Sequence, residues 1–413
     1  MGETIRLRPL SVVEEGDDVL VGDPVTGTFV SLPPIGGVVV RALQRGATVE
    51  EAGCEATAFA GEPVDVEAFV TALHELGFVA EGAETTGTDD TRIPERTAAI
   101  QGRRWIRGPR PELVRPLFGR VAWCLYATLA LFDVGCLLLR PELRPEHRDA
   151  FALDDIGLSA LLLIPCATFV LALHESWHWL AARNAGVAAR FGIDRRMVFL
   201  VFETDLSQLW SVPRRRRYGP VLAGLAVDSA VLSLLLGAQL AAEEGLWSPP
   251  RLVLRLLGAW AFVQIATMLW QCMVFLRTDL YALLVVATGC RDLWRVKSLL
   301  LRRALGRLTP DQADELTAAS PRDISLGRWF RWVWLGGSVL VAAWALVFYL
   351  PVQVRILEWT RDGLAEGPTH GDFWFTAACS AILLWGPLLV LVMAARDAAG
   401  RIGARRMRQT TVS

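Results

Sequence analysis

The chain has 413 residues, 53% of them hydrophobic, and a mean hydropathy of +0.36: long enough for a small soluble domain plus a membrane domain, and too apolar to be wholly soluble. The net charge of −1 hides a division, because residues 1–90 hold 17 acidic groups against four arginines, −13, which leaves +12 for residues 91–413. So acidic a head lacks the basic footprint that phosphate binding needs, and no nucleic-acid partner is expected.

Residues 1–8 contain no basic stretch leading into an apolar one, so no cleavable signal peptide is expected and the head is expected in the cytosol. The seven cysteines, at 54, 124, 136, 166, 272, 290 and 379, form no C-x-x-C pair and no disulfide framework. Any metal site must therefore draw on histidine and carboxylate.

Residues 5–32 alternate apolar and polar around turn signals. Val19-Leu20-Val21, the turn residues Gly22-Asp23-Pro24 and Thr26-Gly27, and Thr28-Phe29-Val30-Ser31-Leu32 predict a β-hairpin. A helix is expected from Ile35 to a stop at Gly46, a second after the capping pattern Thr48-Val49-Glu50-Glu51, and a third opened by Pro63. The third carries Val66, Phe69, Val70, Leu73 and Leu76 on one face and ends at Gly77. Residues 1–82 thus read as a small α+β, winged-helix-like domain.

Residues 83–112, rich in Gly, Thr, Pro and Arg, read as a linker ending in the basic stretch Arg103-Arg104-Trp105-Ile106-Arg107. Six apolar stretches follow, at about 117–139, 153–175, 219–241, 252–276, 329–350 and 373–395, each long enough to cross a bilayer. Residues 113–310 form a membrane core and 311–413 a two-span region with a basic tail. Arginine-rich connections at 183–217 and 291–328, and the arginines of the tail, belong on the cytosolic side, whereas the loops near 140–149, 243–244 and 355–372 are balanced or acidic. A multi-pass cell-membrane protein with both termini in the cytosol satisfies every loop. Trp105, Trp247, Trp294, Trp329 and Trp374 fall near the expected span ends as interfacial anchors.

The second span ends in His174-Glu175-Ser176-Trp177-His178, an H-E-x-x-H pattern in a chain with five histidines. Histidines four apart share a helix face, so both can ligate one Zn²⁺, and the glutamate between them can take a proton from water. A structural histidine pair is the plainer reading, but unpaired ionisable groups bordering hydrocarbon are costly and usually functional. A catalytic zinc needs a third protein ligand. The fourth span runs in the same direction and ends near Arg277-Thr278-Asp279-Leu280-Tyr281, which puts Asp279 at the depth of the histidines. Asp228, mid-span, is expected as a partner for a ligand histidine or as a polar helix contact, with metal ligation as an alternative. No role is assigned to Asp133.

The run Arg214-Arg215-Arg216-Arg217 reads as a topology anchor against anionic lipid. Residues 192–210, centred on Met197-Val198-Phe199-Leu200-Val201-Phe202, read as a hairpin able to receive an extended substrate. Residues 280–290 suit a half-helix or re-entrant piece, and 291–308 an amphipathic helix on the cytosolic surface. No phosphate-binding glycine loop is present.

Two resemblances give these features a direction. The pattern Leu20-Val21-x-Asp23-x-x-Thr26-Gly27-x-Phe29-x-x-Leu32, with the Leu76-Gly77-Phe78-Val79 ending, resembles the PqqD-like domains known as RiPP recognition elements. That likeness implies binding of a precursor-peptide leader as an added strand, within residues 19–32 and 64–76; an accessory regulatory domain is the alternative. Residues 150–295 resemble the site-2-protease family of intramembrane zinc metalloproteases. The likeness rests on His174-Glu175-x-x-His178, Ala181-Ala182-Arg183-Asn184-Ala185-Gly186, Phe191-Gly192-Ile193, Asp205-Leu206-Ser207, Ala223-Gly224 and Asp279. It implies one Zn²⁺ held by His174, His178 and Asp279, with Glu175 as catalytic base. Leu280 stands where that family more often has glycine, and Gln271-Cys272-Met273-Val274-Phe275 replaces its N-x-x-P-like approach.

Together these imply a membrane-embedded zinc endopeptidase that cleaves a ribosomally made precursor peptide near the cytosolic face. Two other functions fit the same residues: a non-catalytic receptor, export or immunity partner that retains zinc, and a protease releasing a membrane-anchored regulator. The partners expected are a peptide and the lipid bilayer; the oligomeric state, the substrate and the native metal are not encoded in any feature above.

Overall fold

The computed structural model describes residues 4–16, 18–24, 26–80, 110–146, 149, 153, 156–187, 190–196, 199–205 and 207–410. Most of the expected linker, with Trp105, lies outside them, as do Met197 and Val198. The chain falls into two compact units, one of residues 1–118, 179–192 and 204–220, the other of 119–178, 193–203 and 221–413.

Alternation in the first unit produces three antiparallel strands, β1 (Ser11–Glu15), β2 (Asp18–Asp23) and β3 (Thr28–Leu32), in that order across the sheet. Val13 pairs with Leu20 and Val21 with Val30. The expected hairpin thus gains a strand, set off by a tight turn at Gly16, whose φ of +68° is one a glycine adopts freely. Three helices follow: α1 (Pro34–Gln44), α2 (Val49–Ala60) and α3 (Val66–Glu75). Thr48 and Glu51 form a reciprocal capping box on α2, and Gly61 ends it with a left-handed residue. Asp65, rather than Pro63, starts α3 by accepting from the Ala68 amide at 2.9 Å. Val21, Val39, Val40, Leu43, Leu73 and Phe78 fill the core. Leu76, expected on the core face of α3, is exposed, because the chain turns back after α3 and the Phe78 amide bonds to Leu73 O, seating Phe78 in the core instead.

A short helix, α4 (Pro111–Val114), and the first turn of a long one also belong to this unit. Here Arg217 departs from the lipid-anchor expectation. It is 1% exposed, and its guanidinium donates to Glu15 Oε1 at 2.8 Å and to the Val212 carbonyl at 2.9 Å while lying 4.6 Å over the Trp210 ring. The 3₁₀ turn Ser207–Ser211 packs on β1 and β2, so the last arginine of the run pins the sheet, while Arg215 and Arg216 are exposed.

Among the described residues six helices are long and apolar enough to cross a membrane: α5 (Arg120–Leu139), α6 (Ile156–Asn184), α7 (Arg214–Glu243), α8 (Arg251–Gln271), α12 (Pro321–Trp344) and α14 (Gly371–Thr410). Between α6 and α7 lies a two-stranded sheet, β4 (Arg190–Arg196) with β5 (Phe199–Asp205), where a hairpin is expected. The remaining helices are α9 (Asp279–Thr288), α10 (Leu293–Ala304), α11 (Pro310–Ala318) and α13 (Leu350–Ala365). Helix ends differ from the ends of apolar runs, because hydropathy marks hydrocarbon and not hydrogen bonding. α6 runs on past residue 175 to Asn184, α8 stops five residues before 276, and α13 occupies most of the expected loop 355–372.

α7 is the hub of the second unit: 61% of its apolar window is buried, against 11–18% in the other five spans. Its Ser229 and Ser233 hydroxyls both donate to Asp133 of α5 at 2.6 Å, which satisfies a carboxylate 3% exposed inside a span. α10, expected on a lipid surface, buries Val296, Leu299 and Leu300 against Leu316 of α11 and Ile324 of α12. Its apolar stripe meets protein instead. On the same helix Lys297, the only lysine in the chain, lies with Nζ 3.7 and 4.1 Å from the Trp294 and Trp334 ring centres.

Candidate metal centre

One helical turn of α6 presents His174 and His178 on the same face, with ring centres 4.8 Å apart and planes crossing at 72°. Both are almost fully buried, although this part of α6 lies beyond its most apolar stretch. α9 supplies the third group from its first residue, Asp279. The turn before it is shaped by Arg277, the one described non-glycine residue with positive φ (60°), and by Thr278, whose hydroxyl donates to the Gln271 carbonyl at 2.7 Å. This fold-back after α8 aims the carboxylate at the histidines.

Asp279 Oδ2 lies 2.9 Å from His174 Nε2 and 3.0 Å from His178 Nε2, and the two Nε2 atoms are 3.1 Å apart. Two imidazoles and one carboxylate oxygen form a triangle of nearly equal sides. Tetrahedral zinc with bonds of about 2.0–2.2 Å spaces its ligand atoms roughly 3.3 Å apart, so this donor set and spacing suit it with small adjustments. Among the described residues these three form the one group of histidine, cysteine or carboxylate side chains fit for a metal ion.

Asp228 of α7 accepts from His174 Nδ1 at 2.7 Å and is itself 1% exposed. With the proton held on Nδ1, the Nε2 lone pair is free to ligate. Of the readings open for Asp228, contact with His174 is therefore the one observed. Glu175, between the histidines in sequence, is also buried. His174, His178, Asp279 and Asp228 thus come together, with Glu175 buried on the same helix.

Two residues given no role from the sequence also shape it. Gln271 ends α8 with its amide oxygen accepting from the Asp279 amide at 3.1 Å and its nitrogen 3.4 Å from His174 Nε2. A polar residue closing an apolar run, eight before the aspartate, was the available signal. Gly224 lets α7 approach α6: a Cβ there would overlap both imidazoles. The sequence marks it only through Ala223-Gly224 in the family resemblance, which assigns it no packing role. Comparison with protein-family models, with curated proteins and with solved structures finds no match to this chain.

Proposed function

We propose that the chain is a membrane-embedded zinc metalloendopeptidase of site-2-protease type, acting on a ribosomally made precursor peptide near the cytosolic face. The observation that carries this is the convergence of His174, His178 and Asp279 within a group of apolar helices, with Glu175 buried on the same turn. The chemistry zinc supplies when bound is acidification of water and polarisation of the scissile carbonyl. The chain's own part is to hold His174 in one tautomer through Asp228, to seat Asp279 through Gln271, and to exclude bulk water by burial. Glu175 accepts the proton of the attacking water and returns it to the leaving amine.

The head supplies the second half of the reading: a winged-helix-like domain that captures the leader as an extra strand, within residues 19–32 and 64–76. Its net negative charge favours a cationic leader. Glu175→Gln should leave bound zinc unchanged and abolish cleavage of the precursor encoded beside the gene, read by mass analysis of the products. Normal processing by that variant rejects the mechanism. Zinc-loaded wild type that binds the precursor and never cuts it points instead to a receptor.

A further inference from the structure

Two arginines near the start of α12 carry charge that the protein itself leaves unanswered. Arg328 is exposed and Arg331 half-buried, and neither guanidinium has a hydrogen bond or an ion pair among the described residues, whereas Arg217 and Arg295 each bond a carboxylate. Arg331 is the more telling of the two: its Nε is buried without an acceptor, while its charge lies 5.1 Å from the centre of the Trp332 ring. A guanidinium N–H kept from water and given no acceptor is costly, so an anionic oxygen supplied there is worth more than at a hydrated arginine.

The surface around them is open. At 3.6 residues per turn, Arg328, Arg331, Trp332, Leu335 and Val339 share a sector of about 100°, and the buried Gly327, Phe330, Gly337 and Val341 all fall outside it. Trp332 is 59% exposed, and Trp329, Leu335, Val339 and Leu340 are exposed with it. Gly336, in line between Trp332 and Leu340, is exposed too, and a Cβ there would meet nothing, so the apolar wall has a gap one turn below the indole. From the end of α12 that the charge pattern assigns to the cytosol, the order is thus two cations, two indoles and bare aliphatic surface. An amphiphile with an anionic head and apolar tails has the same order. Arg328 and Arg331 are separated by about 4.5 Å of helix rise, near enough to share one phosphodiester, whose oxygens suit the guanidinium fork. A choline head would bring a third cation between them; a glycerol head brings none.

We propose that this end of α12 is a binding site for one anionic glycerophospholipid, with the phosphodiester held between Arg328 and Arg331 and an acyl chain lying over Leu335, Gly336 and Val339. The site stands apart from the peptidase reading and survives its failure. It separates one retained lipid, chosen by its head, from the exchanging lipids that meet the rest of the apolar surface.

The test titrates full-length protein in uncharged detergent with dioleoylphosphatidylglycerol or dioleoylphosphatidylcholine, reads bound lipid by native mass spectrometry, and records Tm for each variant without lipid. Wild type should retain one phosphatidylglycerol, held about tenfold more tightly than the choline lipid. Arg328→Gln and Arg331→Gln should each weaken that binding about tenfold at unchanged Tm, and Arg322→Gln, exposed at the same end of α12 but outside the sector, should change it less than twofold. A general attraction of a basic surface for anionic lipid predicts instead a similar loss, roughly fivefold, from each of the three arginines. Equal losses therefore overturn the site, as does equal binding of the two lipids by wild type. Excess inorganic phosphate should leave the bound lipid in place; displacement by phosphate alone would make this a site for a soluble anion and overturn the lipid assignment.

Discussion

At the scale of single residues, holding a metal ion and tuning it would fall to different side chains. His174, His178 and Asp279 would hold the ion, so His178→Ala should remove it. Asp228→Ala takes away only the acceptor of His174 Nδ1–H and should weaken zinc binding about 10–100-fold, measured by competition with a chromogenic chelator; unchanged affinity would deny Asp228 its orienting role. The histidine pair was legible because its spacing is a local property of one helix. Asp279 required a further step, the direction in which each span crosses, and that sufficed because depth is conveyed by loop charge. The roles of Gln271 and Gly224 escaped, since the contact of one with the His174 ring and the close approach of the other to both imidazoles depend on atoms more than forty residues away in the chain.

Among the elements, the first turn of α7 and strand β1 are joined by a pair that hydropathy cannot foresee. Arg217→Gln would leave the Glu15 carboxylate enclosed without its partner and should cost about 3 kcal/mol, read as earlier denaturant unfolding of the head, with Arg215→Gln as the silent control. From sequence the four arginines are equivalent; burial of the last depends on Trp210 and on a strand some 200 residues earlier. The same lesson applies to α10, whose stripe predicts an apolar partner without saying whether that partner is lipid or protein. Burial, assisted by the nearby Arg277, pushes the Lys297 ammonium down to about 8, against the pull of the two indole rings. Its folded pKa lies below its unfolded one, so the unfolded chain binds more protons between about pH 8 and 10.4, and this group's contribution to stability rises with pH across that window. Tryptophan emission should titrate with a midpoint near 8 and lose that step in Lys297→Met; a midpoint near 10.4 would mean the ammonium is hydrated.

For the molecule as a whole, six apolar helices and an acidic N-terminal domain were legible from composition, because bilayer thickness and charge act on long stretches rather than on contacts. The proposed orientation has its own check. Cys54 of α2 and Cys272 after α8 are exposed free thiols that the charge pattern assigns to the cytosol, and an impermeant maleimide should label them in inside-out vesicles and spare them in right-side-out ones. Labelling in the opposite orientation would invert the topology and move the candidate site to the other face. The site also ties distant parts of the chain, since His174 and Asp279 stand 105 residues apart. An ion shared between them closes that loop as a crosslink does, and a crosslink gains most from the disorder it forbids to the unfolded chain. Metal supply would then set the lifetime of this protein as well as its activity: a chain made without zinc would open α9 away from α6 first and present that opening to the proteases of its own membrane.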